Sequence, residues 1–330
     1  MGNNYNPAVS EATPLIETRH LKKYFKVRKG LLHAVDDINI KIMPGKTIGV
    51  VGESGCGKST LGRTILRLIE PTEGEVLYDG ENIVPYGKHE MNKMRRNMQL
   101  IFQDPYSSLN PRMSVSELIA EYMIVNKTCK SRAEVWDRVD ELMETVGLAE
   151  RFAGAFPHEL DGGRRQRIGI ARALSLDPKF IVCDEPVSAL DVSIQAQILN
   201  LLMDLQDQYG IAYMFITHNL SVVRHISHNI CVMYLGQLVE QCSIKDLFEQ
   251  QLHPYTKALL SAVPTVDIHN KRERIILKGE LMSPINPKPG CRFAPRCPYA
   301  TEECSQPQKL EEVRPGHFVS CCKVKEINQL

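Results

Sequence analysis

The stretch Gly52–Thr60 reads GESGCGKST and directly follows the apolar run Thr47–Val51. Glycines let a backbone turn tightly and aim several N–H groups at one anion, and a helix that begins there adds the positive end of its dipole. In such a loop the lysine, here Lys58, reaches the outer phosphates, and the hydroxyl of Ser59 can hold Mg²⁺. The stretch therefore predicts a phosphate-binding loop between a buried strand and a helix. The residues predicted to form its nucleotide contacts are Gly52, Ser54, Gly55, Cys56, Gly57, Lys58, Ser59 and Thr60.

A second apolar run ends in two acids, at Phe180–Glu185, which reads FIVCDE. A carboxylate at the end of a buried strand, beside a phosphate loop, is well placed to hold Mg²⁺ and its water shell. We assign that role to Asp184. Glu185, the next residue, is the candidate for orienting or deprotonating the attacking water.

Two other polar residues follow apolar runs of strand length. Gln103 follows the run Gln99–Phe102, and His218 follows the run Ala212–Thr217. In an open α/β sheet, ligands gather at the carboxyl ends of the strands. We therefore expect both side chains to converge on the crevice that contains the two acids.

The overall charge excludes one class of partner. The 330-residue chain has 40 Lys and Arg against 39 Asp and Glu, a formal charge of +1. This balance creates no general field that attracts nucleic acid, so no nucleic-acid partner is expected. No apolar stretch approaches the roughly 20 residues that a bilayer-spanning helix needs. Residues 1–14 lack the pattern of a secretory signal, so we expect a flexible arm on a cytosolic chain.

The pattern along the chain predicts an α/β fold. The apolar runs alternate with helical stretches such as 59–68 and 194–208, as expected around a largely parallel sheet. The periodicity of residues 115–124 and 134–146 indicates a helical insert. Seven of the 19 prolines lie beyond residue 281, which predicts an irregular tail. The predicted units are the arm 1–14, the core 15–106 and 177–250, the helical insert 107–176 and the extension 251–330.

Residues 159–167, within the helical insert, read ELDGGRRQR. With the elements above, in the same order, this segment resembles the ATP-binding subunits of ATP-binding cassette (ABC) transporters over about residues 15–249. The resemblance implies a P-loop NTPase with a RecA-like core, a β-subdomain and a helical signature subdomain. It also implies that ATP and Mg²⁺ bind, and that Phe25, with Tyr24 beside it, stacks on the adenine.

The same resemblance implies roles for the polar residues at the strand ends. Gln103 would join Ser59 and Asp184 at Mg²⁺ and couple this site to a membrane partner. His218 would contact the γ-phosphate. The catalytic set implied for ATP hydrolysis is Glu185, His218 and Gln103.

A further implication of the resemblance is a head-to-tail dimer. Such subunits clamp two ATP molecules, each between the phosphate loop of one chain and the signature of the other. The signature residues here are Asp161, Gly162, Gly163 and Arg164, and the D-loop that crosses the dimer contains Ser188 and Asp191.

The signature departs from the usual family pattern Leu-Ser-Gly-Gly-Gln at two positions. Asp161 replaces the serine and Arg164 the glutamine. A carboxylate about 4 Å from a phosphate charge costs on the order of 4 kcal/mol at an effective dielectric near 20, which Arg164 would partly offset. We therefore hypothesise an asymmetric heterodimer with a related ATPase that keeps one good site. In the alternative, the backbone amides of Gly162 and Gly163 hold the phosphate and Asp161 turns away.

The tail contains five of the ten cysteines. Its spacing is Cys291-x5-Cys297-x6-Cys304-x16-Cys321, with Cys322 as a spare. Thiolates suit Zn²⁺ or an iron–sulfur cluster. Structural zinc usually takes closely spaced cysteine pairs, so the wide spacing favours a cluster, with zinc as the alternative.

The segment His253–Leu260 (HPYTKALL) and the cysteine tail together resemble the C-terminal extension of dipeptide and oligopeptide importer ATPases, over about residues 250–323. Some members carry a [4Fe-4S] centre there. The resemblance implies that Cys291, Cys297, Cys304 and Cys321 bind such a cluster, which we interpret as a structural staple rather than a redox catalyst.

This second resemblance implies an ATPase that energises peptide import. Its partners would be membrane permease subunits, a second ABC ATPase and, indirectly, an extracellular peptide-binding protein. The chain would lie peripherally on the cytoplasmic face of the membrane. The alternatives are import of nickel or another solute, a soluble ABC ATPase outside transport, and a scaffold that binds ATP without hydrolysing it.

Overall fold

The computed structural model describes residues 13–263, 274–277, 279 and 283–330. Of the arm predicted at 1–14, all but Thr13 and Pro14 lies outside the described residues. The strands are β1 (Ile16–Val27), β2 (Gly30–Ile42), β3 (Thr47–Val51), β4 (Glu73–Tyr78), β5 (Glu81–Asn82), β6 (Met98–Ile101), β7 (Phe180–Asp184), β8 (Ala212–Ile216), β9 (Asn229–Tyr234), β10 (Gln237–Ser243), β11 (Glu311–Arg314) and β12 (His317–Val319). The helices are α1 (Lys58–Ile65), α2 (Lys88–Met94), α3 (Pro105–Ser108), α4 (Val115–Asn126), α5 (Arg132–Thr145), α6 (Gly162–Leu174), α7 (Val192–Tyr209), α8 (Leu220–Ile226), α9 (Ile244–Glu249), α10 (Pro254–Ser261) and α11 (Val324–Asn328).

The described strands form two sheets, and the predicted α/β class is confirmed. The larger sheet has the order β11-β12-β10-β9-β3-β8-β7-β6. Its strands β9, β3, β8, β7 and β6 pair in parallel, so their carboxyl ends lie along one edge. Every residue of β3, β7 and β8 is buried, as expected for parallel strands covered on both faces. The smaller sheet, β2-β1-β4-β5, is antiparallel.

Helices α4, α5 and α6 pack together between β6 and β7 in the chain. Each begins at a side-chain cap that satisfies a backbone N–H of its first turn, which fixes where the helix starts. Ser114 caps α4 together with Glu117, Ser131 caps α5, and Asp161 caps α6. Their apolar faces share one core with β6, β7 and α7.

Within its described residues, the extension contains strands and helices where the prolines suggest an irregular tail. β12 pairs with β10 in antiparallel fashion, and β11 pairs with β12, so the extension adds two strands to the larger sheet. The seven prolines beyond residue 281 all lie outside these strands, where a proline would remove a ladder hydrogen bond.

A buried contact between a carboxylate and a histidine fixes β12 to the core. The Glu240 side chain is fully buried in β10, and its Oε1 accepts hydrogen bonds from Nε2 of His317 (2.7 Å) and N of Leu252 (2.8 Å). Its Oε2 accepts one from N of His253 (2.9 Å). Cys242 also lies within 4.8 Å of the Glu240 and His317 ligand atoms. Because the carboxylate oxygens already have donors, we interpret this cluster as a structural contact rather than a metal site.

His253 is the N-cap residue of α10, and its Nδ1 accepts a hydrogen bond from N of Tyr255 (3.1 Å). The ring is buried, and this burial lowers the pKa of His253 to about 4. The imidazole is therefore neutral at pH 7 and acts as a helix cap.

Acidification should weaken the fold through His253. The pKa of this group is 6.5 in an exposed setting and about 4 in the fold, so the unfolded chain binds the proton first. This difference in pKa corresponds to about 3 kcal/mol in the free energy of unfolding. The neutral ring makes this contribution above pH 6.5, and the contribution is lost as the pH falls to 4. Urea unfolding at several pH values measures the free energy of unfolding of the wild type and of His253→Asn. Asparagine keeps an acceptor for the helix cap. The stability advantage of the wild type should shrink with falling pH; a constant difference would contradict the assignment.

Candidate nucleotide site and cysteine centre

The phosphate loop spans residues 52–57, between β3 and α1, and has the position that the sequence predicts. Two of its glycines cannot be replaced without moving the backbone. A Cβ on Gly57, whose φ is +106°, would lie 1.9 Å from the carbonyl oxygen of Ala34. A Cβ on Gly52 would lie 2.2 Å from the carbonyl oxygen of Met233. The neighbouring backbone therefore leaves no room for a side chain at these two positions of the loop.

Lys58 is buried inside this loop. Its Nζ donates to the carbonyl oxygens of Gly52 and Glu53, both at 2.9 Å. Cys56 is buried next to it, with its Sγ 3.8 Å from the ammonium. The loop therefore encloses a full positive charge at the N-terminus of α1, where an anion is favoured.

Ser59 and Asp184 meet at the adjoining strand end. The Ser59 hydroxyl donates to Oδ1 of Asp184 (2.6 Å), and the Arg63 guanidinium lies 3.4 Å from Oδ2. Mg²⁺ prefers oxygen ligands and usually binds one or two carboxylates with phosphates and water. The donor set of Ser59 and Asp184 fits that ion. The sequence reasoning missed Arg63, since a basic residue within a helix carries no specific signal.

Glu185 contacts both of the other predicted catalytic residues. Its Oε2 accepts a hydrogen bond from Nε2 of Gln103 (3.1 Å), and its Oε1 lies 3.3 Å from Nδ1 of His218. Glu185 has a φ of +48°, a left-handed conformation that costs a residue with a side chain about 1–3 kcal/mol. The structure thus brings together the residues that end β7 or follow β6 and β8.

A cleft of about 460 Å³ contains these groups. Its lining comprises Phe25, Leu32, Ala34, Ser54, Gly55, Gly57, Lys58, Ser59, Thr60, Gln103, Glu185, His218 and Pro284. Phe25, for which the resemblance implies an adenine contact, thus lines this cleft.

Tyr24 occupies a different position from the one expected beside the adenine. Its ring stacks on His33, with 3.9 Å between the centroids, and its hydroxyl donates to Asp36. Adjacent residues of a strand point to opposite faces, so Tyr24 and Phe25 cannot both face the cleft. The structure therefore favours Phe25 alone as the adenine contact.

The signature residues lie at the start of α6. Oδ1 of Asp161 accepts a hydrogen bond from N of Arg164 (2.8 Å), and Oδ2 lies 2.6 Å from its guanidinium. A carboxylate at a helix N-terminus is also favoured by the helix dipole. Both oxygens are therefore engaged within the signature itself. A Cβ on Gly163 would lie 2.7 Å from the Ile194 side chain, which packs α6 closely on α7.

The predicted D-loop follows Glu185 directly. The Ser188 hydroxyl donates to the carbonyl oxygen of Glu185 (3.1 Å), and Asp191 occupies the N-cap position of α7. A Cβ on Gly162 would lie 3.0 Å from the Leu190 side chain. The D-loop, the signature and Glu185 thus form one connected surface.

The five tail cysteines line a second, smaller cavity together with His253 and Phe293. Cys304 and Cys322 have their Sγ atoms 3.9 Å apart. Burial raises the pKa of Cys291 to about 11 and that of Cys321 to about 12. Within the described ranges, no three cysteine sulfurs lie within 4.8 Å of one another. The thiols are gathered but not tightly clustered.

The cysteines outside the tail are also free thiols. Cys183, Cys231 and Cys242 are buried, and this burial raises the pKa of each thiol.

Fold and site together define a P-loop ATPase, and comparison with known proteins identifies its family. Residues 35–188 match the ABC transporter family, and residues 239–304 match the oligopeptide/dipeptide transporter C-terminal region. The chain is 50% identical over 318 residues to the oligopeptide transport ATP-binding protein AppF of Bacillus subtilis, covering 93% of this chain and 96% of AppF. It is 49% identical over 320 residues to the dipeptide transport ATP-binding protein DppF of Haemophilus influenzae, covering 95% and 98%.

A solved structure agrees with this match. The dimeric post-hydrolysis state of the ATP-binding cassette MJ0796, bound to ADP and Pi, has a TM-score of 0.64 and 30% identity, covering 69% of this chain and 98% of that one. The chain belongs to the ABC transporter ATPases, in the branch that carries the oligopeptide/dipeptide transporter C-terminal region.

Two substitutions should separate nucleotide binding from turnover. Lys58→Ala removes the charge inside the loop, so the dissociation constant of ATP should rise about tenfold or more. Glu185→Gln keeps a hydrogen-bonding group but loses the base, so turnover should fall about 10²- to 10⁴-fold while ATP still binds. Calorimetric titration and phosphate release measure the two effects. Loss of ATP binding in Glu185→Gln would contradict the assignment.

Proposed function

We propose that this chain hydrolyses ATP to energise the import of dipeptides or oligopeptides through a membrane permease. The observation that carries the proposal is the pairing of a complete nucleotide site with an oligopeptide/dipeptide transporter C-terminal region in one chain. Relatives that share about half of its residues are named for oligopeptide and dipeptide transport. Import of nickel or another solute by the same ATPase is the second candidate.

Each residue of the cleft has its own role in the reaction. Lys58 and the loop amides hold the outer phosphates, and Phe25 covers the adenine. Glu185 accepts a proton from, or orients, the attacking water, while Gln103 and His218 hold its carboxylate in place. When bound by Ser59 and Asp184, Mg²⁺ neutralises charge that develops on the phosphate oxygens. Peptide need not contact any of these groups.

A groove next to Gln103 supports the proposed permease contact. It has a volume of about 600 Å³ and runs between α2, β6 and α4. Exposed apolar side chains, among them Leu68, Phe102 and Val125, line it beside the basic Arg95 and Arg96. Because Phe102 immediately precedes Gln103, a permease helix in this groove would sense the position of Gln103 and, through it, Glu185.

Peripheral attachment to the cytoplasmic face of the membrane is part of this proposal. Across the residues that the structure describes, no helix has both the length and the apolarity to cross a bilayer. The groove beside Gln103 supplies the attachment instead. An extracellular peptide-binding protein would act on the permease and so would reach this chain only indirectly.

The signature supports pairing with a second, related ATPase rather than with a copy of this chain. Asp161 and Arg164 would face the ATP held by the partner's loop. That site contains a carboxylate, here paired with Arg164, where the family has a neutral hydroxyl. The site formed by Lys58 and Glu185 would instead receive the partner's signature, so in a heterodimer it can remain fully active.

Peptide uptake into proteoliposomes tests the function and the asymmetry together. The transporter is assembled with Glu185→Gln in this chain, or with the corresponding substitution in the partner ATPase. Uptake of a labelled dipeptide or oligopeptide should require ATP. It should nearly vanish with Glu185→Gln in this chain, and most of it should remain with the substitution in the partner ATPase. Equal losses would contradict the asymmetry. ATP-dependent uptake of Ni²⁺ but not of peptide would favour the second candidate.

We also propose that the tail cysteines bind a [4Fe-4S] cluster, with zinc as the alternative. Soft sulfur donors suit either. The four cysteines lack the close pairs that structural zinc usually takes. This spacing supports a cluster, in which each cysteine binds a different iron. The residues that would hold it are Cys291, Cys297, Cys304 and Cys321.

The adjacent Cys321 and Cys322 provide a matched test of this centre. After anaerobic purification, the wild type should contain about four irons and show broad absorption near about 400 nm. Cys321→Ser should lose most iron and sulfide and melt at a lower temperature, because a staple is lost. Cys322→Ser should retain both. Stoichiometric zinc in the wild type would refute the cluster, and equal iron loss in the two variants would refute the ligand choice.

A further inference from the structure

The segment Cys291–Cys297, which reads CRFAPRC, connects the cysteine centre with the phosphate loop. We call it the bridge segment. Its last arginine, Arg296, donates from Nη1 to both carboxylate oxygens of Glu53, at 2.9 and 3.1 Å. Glu53 is the second residue of the phosphate loop. One arginine thus joins the loop directly to a position next to Cys297.

The extension also binds the backbone of Glu53. The Tyr255 hydroxyl of α10 accepts a hydrogen bond from N of Glu53 (2.9 Å). Tyr255 is fully buried and packs against Tyr234 and Phe293, with ring centroids 4.7 and 5.4 Å away. Phe293 belongs to the bridge segment. Side chain and backbone of Glu53 are therefore both held by the same part of the fold.

The contact continues from Glu53 to the lysine of the phosphate loop. The carbonyl oxygen of Glu53 accepts a hydrogen bond from Nζ of Lys58 (2.9 Å). A chain of polar contacts thus runs from Arg296 through Glu53 to the ammonium that binds phosphate. The Arg296 side chain is 11% exposed, so loss of its partner would leave a mostly buried charge unpaired.

The bridge segment holds the other wall of the cleft as well. Arg292 donates to Asp36, the acceptor of the Tyr24 hydroxyl, and to the carbonyl oxygen of Leu235. Tyr24 and Asp36 lie on the β1–β2 hairpin that also carries Phe25. The segment therefore contacts both the phosphate side and the adenine side of the nucleotide cleft.

We propose that Arg296 is a positioning residue for ATP binding, and that the cysteine centre controls it. Arg296 fixes the phosphate loop through Glu53, and the adjacent Cys297 fixes Arg296 when the centre is loaded. Loss of the metal would release the bridge segment and weaken ATP binding without any change in the cleft's own residues. The control by the centre rests on the metal site proposed above, whereas the action of Arg296 on the loop does not.

Nucleotide titration of the full chain tests the positioning. In Arg296→Ala the dissociation constant of ATP should rise about tenfold, as expected for the loss of a charge-assisted contact. The KM for ATP should rise with little change in kcat, because the catalytic groups are untouched. Arg296→Lys should restore part of the affinity. Arg314→Ala, which removes an arginine of β11 that binds Gln250, should leave it unchanged.

Two comparisons can overturn the positioning. Combining Arg296→Ala with Glu53→Gln should weaken binding no more than either change alone, since both break one contact. Additive effects would refute it, and so would an unaltered dissociation constant in Arg296→Ala. If Arg296→Ala does not fold by circular dichroism, Glu53→Gln and Arg296→Lys carry the same test.

Chelation tests the control by the centre. Removing the metal anaerobically from the wild type should weaken ATP binding about as much as Arg296→Ala does, whereas chelation of Arg296→Ala should have little further effect. Equal weakening of both proteins would refute the coupling. Iron and sulfide assays on the same samples report separately on the centre. If the wild type contains no metal, both the centre and its proposed control of Arg296 are refuted. The ATP affinity of Arg296→Ala still decides whether Arg296 positions the phosphate loop.

Discussion

The parallel pairing of β3, β8, β7 and β6 is the constraint on which the nucleotide site depends. These strands are almost wholly buried, so polar side chains can leave them only at their ends. Parallel order puts all the carboxyl ends on one edge, where open α/β sheets bind their ligands. The loop after β3, the acids at the end of β7 and the residues after β6 and β8 therefore meet around Glu185. A different pairing order would scatter the same residues.

The extension depends on a second set of constraints, made of buried or half-buried polar pairs. Glu240 contacts His317, Glu53 contacts Arg296, and Asp36 contacts Arg292. Removing one partner leaves the other polar group largely buried and unpaired, which is unfavourable, so the pairs hold the extension on the core. The extension is consequently part of the wall of the nucleotide cleft, as the presence of Pro284 in its lining also indicates.

The sequence was most informative where the signal is local. The loop at 52–60, the strand that ends in Asp184 and Glu185, and the helical segment with Asp161 are contiguous, and periodicity placed the elements around them. Tyr24 could have been separated from Phe25 by strand alternation alone. The pairing of β12 with β10 could not be predicted from a three-residue strand behind several prolines.

Long-range contacts were beyond the reach of sequence patterns. Arg296 and Glu53 are 243 residues apart, and Arg292 and Asp36 are 256 apart. Each arginine lies next to a cysteine, and the cysteines point to metal binding rather than to a contact with the phosphate loop. Glu53 occupies a position that the phosphate-loop motif leaves unspecified, so it carries no signal of its own. Only the folded arrangement shows that the two segments touch. The same holds for Glu240, whose partner His317 lies 77 residues further along the chain.

One edge of the sheet forms the nucleotide site, and hydrogen–deuterium exchange with and without Mg²⁺ and ATP tests this. Bound phosphates protect the amides that contact them. We expect protection to concentrate in residues 52–60 and in the segments around Gln103, Glu185 and His218. Protection confined to other regions, with exchange of residues 52–60 unchanged by ATP, would contradict it.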